Sequence, residues 1–181
     1  YTKVIALTND ELGEYTITET NYNDVSKVDV AVSYKIGADG DVKEGKAVTT
    51  SVANGDNKNV IFTNDYPQGN LKITKTFGGP VVEADFTNLT FDVYSNVEGT
   101  TKSYKLSQFT KVSDTEYTLT LPVVAGGYKI TEKNYNDASH EDVEVTYQVG
   151  TADAVKVTEA QATVTKGADT LVTFNNNLIN I

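Results

Sequence analysis

The chain has 181 residues, a formal net charge of −10 and a pI near 4.5. This acidic balance argues against a DNA- or RNA-binding role, which needs a basic face. There is no Cys and only one His, His140, so disulfides, thiol nucleophiles, Cys-rich zinc sites and multi-His metal centres are excluded. Hydrophobic residues at 39% and charged residues at 22% are typical of a globular chain, and no apolar run is long enough to predict membrane insertion.

The sequence contains an internal repeat. Tyr15–Gly37 and Tyr128–Gly150 are identical at 14 of 23 aligned positions, at a constant offset of 113 residues. The similarity returns between Val60–Asp65 (VIFTND) and Val172–Asn177 (VTFNNN), with one residue lost in between. The repeat predicts two copies of one domain.

The two copies are unequal in length. We predict a partial module over residues 1–66 and a complete module over 67–181, with the boundary in the Pro- and Gly-containing link Tyr66–Asn70. The second copy begins with a strand, NLKITKTF, that has no counterpart before Tyr1. Either the sequence is a fragment of a longer multi-repeat protein, or a strand from another chain completes the first module and supplies its missing residues.

Almost all of the chain is predicted to be β-structure. Apolar and polar residues alternate in Leu71–Lys75, Tyr117–Leu121, Tyr128–Glu132 and Val143–Tyr147, which is the pattern of half-buried strands. The turns between them are rich in Gly, Asn and Asp. Seven or so short strands in about 113 residues predict an all-β fold of tandem Greek-key β-sandwiches, the first one incomplete in this chain.

Three strands end an inward-facing apolar series with a polar residue. Lys75 follows Leu71 and Ile73, Glu132 follows Tyr128 and Ile130, and Asn176 follows Val172 and Phe174. A charge at an inward position costs several kcal/mol unless it is paired or neutralised. We therefore expect the amine, the acid and the amide to lie in contact with one another.

The motifs LxIxK, YxIxE and VxFxN, in this order, resemble the B-type repeat domain of Gram-positive collagen adhesins and pilins (CnaB-like). The resemblance implies a reversed-immunoglobulin, prealbumin-like sandwich that closes an internal amide bond between its first and last strands. It implies that Lys75 is the nucleophile, Asn176 the electrophile and Glu132 the catalytic acid and proton shuttle. The alternative is a buried Lys–Glu pair with a hydrogen-bonded Asn and no covalent bond.

Neighbouring residues compete for two of these positions. Lys72 is a second candidate nucleophile, but the alternation with Leu71 and Ile73 predicts that it points outward. Asn175 and Asn177 compete with Asn176, and the spacing of VxFxN favours Asn176.

In the first copy, Glu19 and Asn64 occupy the places that match Glu132 and Asn176. A lysine-bearing first strand is absent from this copy, and Lys3 is a poor substitute because it aligns near Thr118–Leu121. Two other parts of the sequence contain residue types that bind metals or take part in catalysis. We predict that Asp39–Asp41 is a solvated turn and not a calcium loop, and that His140 is an exposed side chain.

The resemblance implies a structural stalk module of a Gram-positive adhesin or pilus, located outside the cell at the cell wall. Its partners would be neighbouring modules or subunits and, for the first module, a strand donor. The only chemistry expected is a single self-modifying turnover without a cofactor or metal, so the protein is not predicted to be an enzyme. The alternatives are an adhesive module that binds a host protein or glycan, and a fibre subunit that polymerises by strand donation.

Overall fold

The computed structural model describes residues 1–23, 29–78, 87–135 and 143–178. These residues form fourteen β-strands and two short 3-10 helices, Asn9–Glu11 and Leu106–Gln108. The strands are β1 (Gly13–Thr18), β2 (Ala31–Ile36), β3 (Lys43–Glu44), β4 (Ala47–Val52), β5 (Val60–Asp65), β6 (Gln68–Gly78), β7 (Thr90–Ser95), β8 (Thr100–Lys105), β9 (Thr110–Ser113), β10 (Glu116–Val124), β11 (Gly126–Lys133), β12 (Val143–Val149), β13 (Glu159–Val164) and β14 (Asp169–Leu178). The predicted all-β fold class is confirmed.

The chain divides into two compact units. The first consists of Tyr1–Tyr22 and Val30–Asp65, and the second contains the described residues from Tyr66 onward. In the described part of the chain, no helix is long and apolar enough to cross a membrane.

The second unit is a sandwich of two sheets. One sheet has the strand order β12-β14-β6-β10-β9 and the other β13-β11-β7-β8. All neighbours are antiparallel except β6 and β14, which run parallel. The core lies between the sheets, where the rings of Phe91 on β7 and Phe174 on β14 have centroids 5.4 Å apart.

This unit has nine strands, two more than the seven or so that the sequence predicts. Two of the nine, β8 and β9, lie at the outer edges of the two sheets. Their residues are almost all exposed, so they show no alternation of apolar and polar side chains. Alternation reveals a strand only when one of its faces is buried, so it gives no signal for these two.

The first unit contains a two-stranded sheet, β1-β4, and a three-stranded sheet, β3-β2-β5. Its strand pairs repeat those of the second unit. β1 pairs with β4 in the register that β11 adopts with β13, and β2 pairs with β5 in the register that β12 adopts with β14. Among its described residues, the first unit has no counterpart of β6–β10, so the sequence repeat corresponds to half of a sandwich.

Candidate crosslinking site

The lysine of the predicted trio lies on the inner face of β6. Burial alternates along this strand, so that Leu71, Ile73, Lys75 and Phe77 all point into the core. Lys75 has an exposed fraction of 0%, which is exceptional because lysine is rarely buried without a partner. The strand period therefore brings an amine into the sandwich interior.

The parallel pairing of β14 with β6 places Asn176 beside this lysine. Phe174 pairs with Lys75, and Asn176 pairs with Phe77. Residues directly opposite each other in neighbouring strands point to the same face, and residues two apart along one strand do so as well. Asn176 is therefore one diagonal step from Lys75 on the inner face, and it is completely buried.

Glu132 reaches the same point from the opposite sheet. It ends the inward series on β11 and has an exposed fraction of 1%. Lys75 Nζ lies 3.3 Å from Glu132 Oε1 and 3.4 Å from Oε2. Asn176 Nδ2 donates a hydrogen bond of 2.5 Å to Oε1 of the same carboxyl group. The structure thus brings together all three residues that the sequence singles out, with the acid in contact with both others.

Burial shifts the two ionisable groups toward their neutral forms. Desolvation lowers the pKa of Lys75 to about 8, although the charge and hydrogen bond of Glu132 act in the opposite direction. Desolvation raises the pKa of Glu132, and Lys75 and the hydrogen bond from Asn176 offset part of this effect. A dry environment penalises the charged form of both groups. The site therefore favours a neutral amine and a protonated acid more than water does.

The aromatic residue Phe77 belongs to the site, although sequence reasoning did not select it. Lys75 Nζ lies 4.9 Å from the centroid of the Phe77 ring. Such a ring attracts a cation weakly and excludes water from its surroundings. The signal was available, since Phe77 continues the alternating inward series of β6.

One buried polar atom of the site lacks a hydrogen-bond donor within the described part of the chain. Among the described residues, none donates to Asn176 Oδ1, and this oxygen is shielded from solvent. Buried acceptors are satisfied in the great majority of cases, so an exception needs an explanation. The carbonyl oxygen of the candidate electrophile is thus open to a donor.

The competing residues point elsewhere. Lys72 is only partly buried, on the opposite face of β6 from Lys75. Asn175 Oδ1 accepts a hydrogen bond of 2.9 Å from Thr76 Oγ1, and Asn177 is exposed. Among these alternatives, only Lys75 and Asn176 extend into the core.

The first unit contains the matching acid and amide. Asn64 Nδ2 donates a hydrogen bond of 2.9 Å to Glu19 Oε1. Glu19 Oε2 and Asn64 Oδ1 are shielded from solvent, and no donor to either lies within the described residues. Lys3 is exposed and lies outside any strand, so it does not supply the missing amine.

The remaining sequence candidates add no second site. Within the described ranges, no group of three or more His, Cys, Asp or Glu residues is placed to hold a metal ion. Asp39 and Asp41 lie in an exposed turn region. His140 lies outside the described residues.

Comparison with known proteins gives distant structural similarities only. No protein-family model and no curated protein matches the chain. A minor pilin of Streptococcus agalactiae aligns with a TM-score of 0.40 at 12% identity, over 93% of this chain and 97% of the pilin chain. The major pilin T-13 of Streptococcus pyogenes aligns with a TM-score of 0.40 at 21% identity, over 92% of this chain and 66% of that one. A leucine-rich repeat protein from Bacteroides thetaiotaomicron aligns with a TM-score of 0.33 at 10% identity, over 93% and 26%. Scores in this range assign neither a fold nor a function, so the functional argument depends on the site itself.

Proposed function

We propose that the second unit is a structural module that crosslinks itself through an amide bond between Lys75 Nζ and Asn176 Cγ, with Glu132 as the catalytic acid and proton shuttle. The observation that carries the proposal is the contact of a buried carboxyl group with both a buried amine and a buried carboxamide. These are the three groups that amide exchange requires: a nucleophile, an electrophile and a proton carrier.

The proposed reaction balances without any cofactor. The neutral amine of Lys75 attacks Cγ of Asn176, and the new C–N bond forms as the bond from Cγ to Nδ2 breaks. Glu132 accepts a proton from the attacking nitrogen and delivers one to the departing nitrogen, which leaves as ammonia. The acid is unchanged at the end, and the reaction runs once.

The environment favours each requirement of this reaction. An ammonium has no lone pair, so the lowered pKa of Lys75 supplies the reactive form of the amine. Rotation of the carboxamide about its Cβ–Cγ bond exchanges Oδ1 and Nδ2, and a protonated Glu132 would then donate to Oδ1. A hydrogen bond to this oxygen stabilises the negative charge that develops there during attack. The three reacting groups are held next to each other on three strands and need not meet by diffusion. This lowers the barrier to the reaction further.

An ion pair without chemistry explains the site less well. Removing a charged lysine and a charged glutamate from water costs several kcal/mol per ion. The attraction between the two charges rarely exceeds that cost. Apolar side chains of similar volume would therefore stabilise this core at least as well. The amide bond instead gives the sandwich a permanent link between its first strand, β6, and its last, β14.

A covalent link between these strands is suited to a load-bearing role. We infer a stalk module of a Gram-positive adhesin or pilus of the CnaB-like type, located outside the cell and associated with other modules or subunits. A crosslinked domain stays closed under force and resists proteases, and it needs no cysteine to do so.

Mechanical unfolding tests this role. When the wild-type chain is pulled between its ends, residues between Lys75 and Asn176 should not extend, because the crosslink bypasses them. The Asn176→Ala variant should gain the missing contour length, about 350 Å at about 3.5 Å per residue. The matched control Asn177→Ala changes an exposed neighbour and should behave as wild type. Full extension of the wild-type chain would refute the load-bearing proposal.

A further inference from the structure

One flank of the sandwich in the second unit is incompletely covered. β9 pairs with β10 only at residues 116–118, and no described strand continues this pairing along residues 119–124. The inward side chains of Leu121 and Val123 are only partly buried, whereas Leu71, which pairs with Leu121, is completely buried. Within the described part of the chain, the core is thus open between the two sheets at this flank.

A cavity of about 240 Å³ lies in this opening. None of the three crosslinking residues lines it. Its apolar wall combines aliphatic side chains with two tyrosine rings: Val93, Leu121, Val123, Tyr104 and Tyr128. Sites for drug-sized ligands have volumes of about 300–1,000 Å³, so this smaller cavity suits a ligand group the size of a single ring.

The strand β8 brings a cation to the cavity. Thr100 and Lys102 pair directly with Ser95 and Val93, which are buried residues on the inner face of β7. Directly opposite residues point to the same face of a sheet, so Lys102 lies on the side of the core, and it lines the cavity. No described carboxylate forms an ion pair with Lys102. Its ammonium therefore has donors to offer a ligand.

The other polar groups of the cavity supply acceptors as well as donors. The carboxylate of Glu98 forms no ion pair with a described residue, and it accepts one long hydrogen bond of 3.5 Å from Thr100 Oγ1. The Tyr128 hydroxyl is already engaged, since it donates a hydrogen bond of 2.6 Å to the backbone oxygen of Val124. Glu98 and Lys102 are the charged residues of the lining, so its formal charge is zero.

We propose that this cavity binds one neutral sugar ring, the terminal pyranose of a glycan. The two opposite charges favour a neutral ligand, because an anion meets repulsion from Glu98 and a cation meets repulsion from Lys102. A ligand without polar groups would cover both charges and leave them unpaired, which costs free energy. Each hydroxyl of a sugar donates and accepts hydrogen bonds, so one ring can satisfy the ammonium and the carboxylate together.

The shape of the opening is consistent with a ring that ends a chain. The C–H face of a pyranose is apolar and packs against Leu121, Val123 and the ring of Tyr104, while the glycosidic bond leaves through the uncovered flank. This binding goes beyond the proposed crosslink and does not depend on it, since the two sites share no residue.

Titration of the full 181-residue chain, labelled with nitrogen-15, tests the proposal. The probes are the methyl glycosides of glucose, galactose, mannose and N-acetylglucosamine, which imitate a terminal ring. We expect at least one of them to cause saturable shifts in the amide resonances of β8 and of residues 119–124. A ligand of this size should bind with a Kd of about 1–10 mM.

Matched variants make the result specific. Lys102→Met and Glu98→Gln each remove one charge from an exposed residue and should each weaken binding roughly tenfold or more, the usual contribution of a hydrogen bond to a charged group. Lys105→Met removes a charge from the same strand at a position that does not line the cavity, and it should bind as wild type does. The amide spectrum of each variant reports directly that the fold is retained.

Three results would overturn the inference. The first is the absence of saturable shifts with all four glycosides up to about 50 mM, well above the expected Kd. The second is binding that maps outside the cavity or that survives both Lys102→Met and Glu98→Gln. The third is tighter binding of a charged probe, either glucuronate, glucosamine or glycine, than of any neutral glycoside. The ammonia loss of the same sample reports the crosslink separately, so each proposal can fail without the other.

Discussion

Replacing Asn176 with alanine is expected to lower the unfolding temperature of the second unit by about 15–30 °C. The crosslink closes a loop of about 100 residues between Lys75 and Asn176. On the chain-entropy account, closure of such a loop stabilises a domain by about 5 kcal/mol. A loss of that size in a domain of little more than 100 residues corresponds to the stated shift. Calorimetry of wild type and variant measures it.

Two controls separate the crosslink from general damage to the strands. Asn177→Ala and Lys72→Ala change neighbours of the reacting residues that lie outside the core, on the same two strands, and should leave the transition within a few degrees of wild type. Lys75→Met, which removes the amine but keeps an apolar stem, should lower the temperature at least as much as Asn176→Ala does, because Glu132 also loses its counter-charge. A shift in Asn176→Ala no larger than in Asn177→Ala would contradict the covalent account.

Glu132→Ala should be more destabilising than Asn176→Ala, although both variants lack the crosslink. The alanine at 132 leaves Lys75 in the core without a counter-charge, and such an uncompensated buried charge costs about 3–5 kcal/mol. Urea unfolding at pH 6 should show a lower free energy of unfolding for Glu132→Ala than for Asn176→Ala. A double variant, Lys75→Met with Glu132→Leu, should recover most of the difference while remaining uncrosslinked.

The pH dependence of the free energy of unfolding identifies why Glu132→Ala is less stable than Asn176→Ala. The folded-state pKa of Lys75 is lowered, and without Glu132 it falls further, whereas the unfolded value stays near 10.5. Between these two values the unfolded chain binds the proton that the folded chain has released, so stability rises with pH. The difference in the free energy of unfolding between Glu132→Ala and the double variant should therefore decrease as the pH increases toward 10.5. If this difference in the free energy of unfolding does not change with pH, an unpaired charge on Lys75 is not its cause.

Much of the site could be predicted from the sequence because strand alternation is strict where one face is buried. In β6 the inward positions Leu71, Ile73 and Lys75 follow one another with period two, and β11 and β14 do the same for Glu132 and Asn176. The cost of burying charge then requires that the polar residues meet. The repeat identified the first-unit equivalents, Glu19 and Asn64, through the alignment of the two copies, with one residue lost between the two stretches.

Other features could not be derived from alternation. Pairing between strands far apart in sequence depends on the whole topology, so the parallel pairing of β6 with β14 was not predicted; the family resemblance implied only a bond between the first and last strands. The edge strands β8 and β9 have no buried face and left no pattern to detect. That no described residue donates to Asn64 Oδ1 or Asn176 Oδ1 depends on atomic positions, which residue spacing does not specify.

Intact mass under denaturing conditions tests the proposed amide bond most directly. The account predicts that the wild-type chain is lighter than its sequence by one ammonia, and that a protease digest contains a branched peptide joining Lys75 to Asn176. Lys75→Met, Glu132→Ala and Asn176→Ala should each have the full sequence mass. A wild-type mass equal to the sum of its residues, with Lys75 and Asn176 recovered in separate linear peptides, would contradict the account.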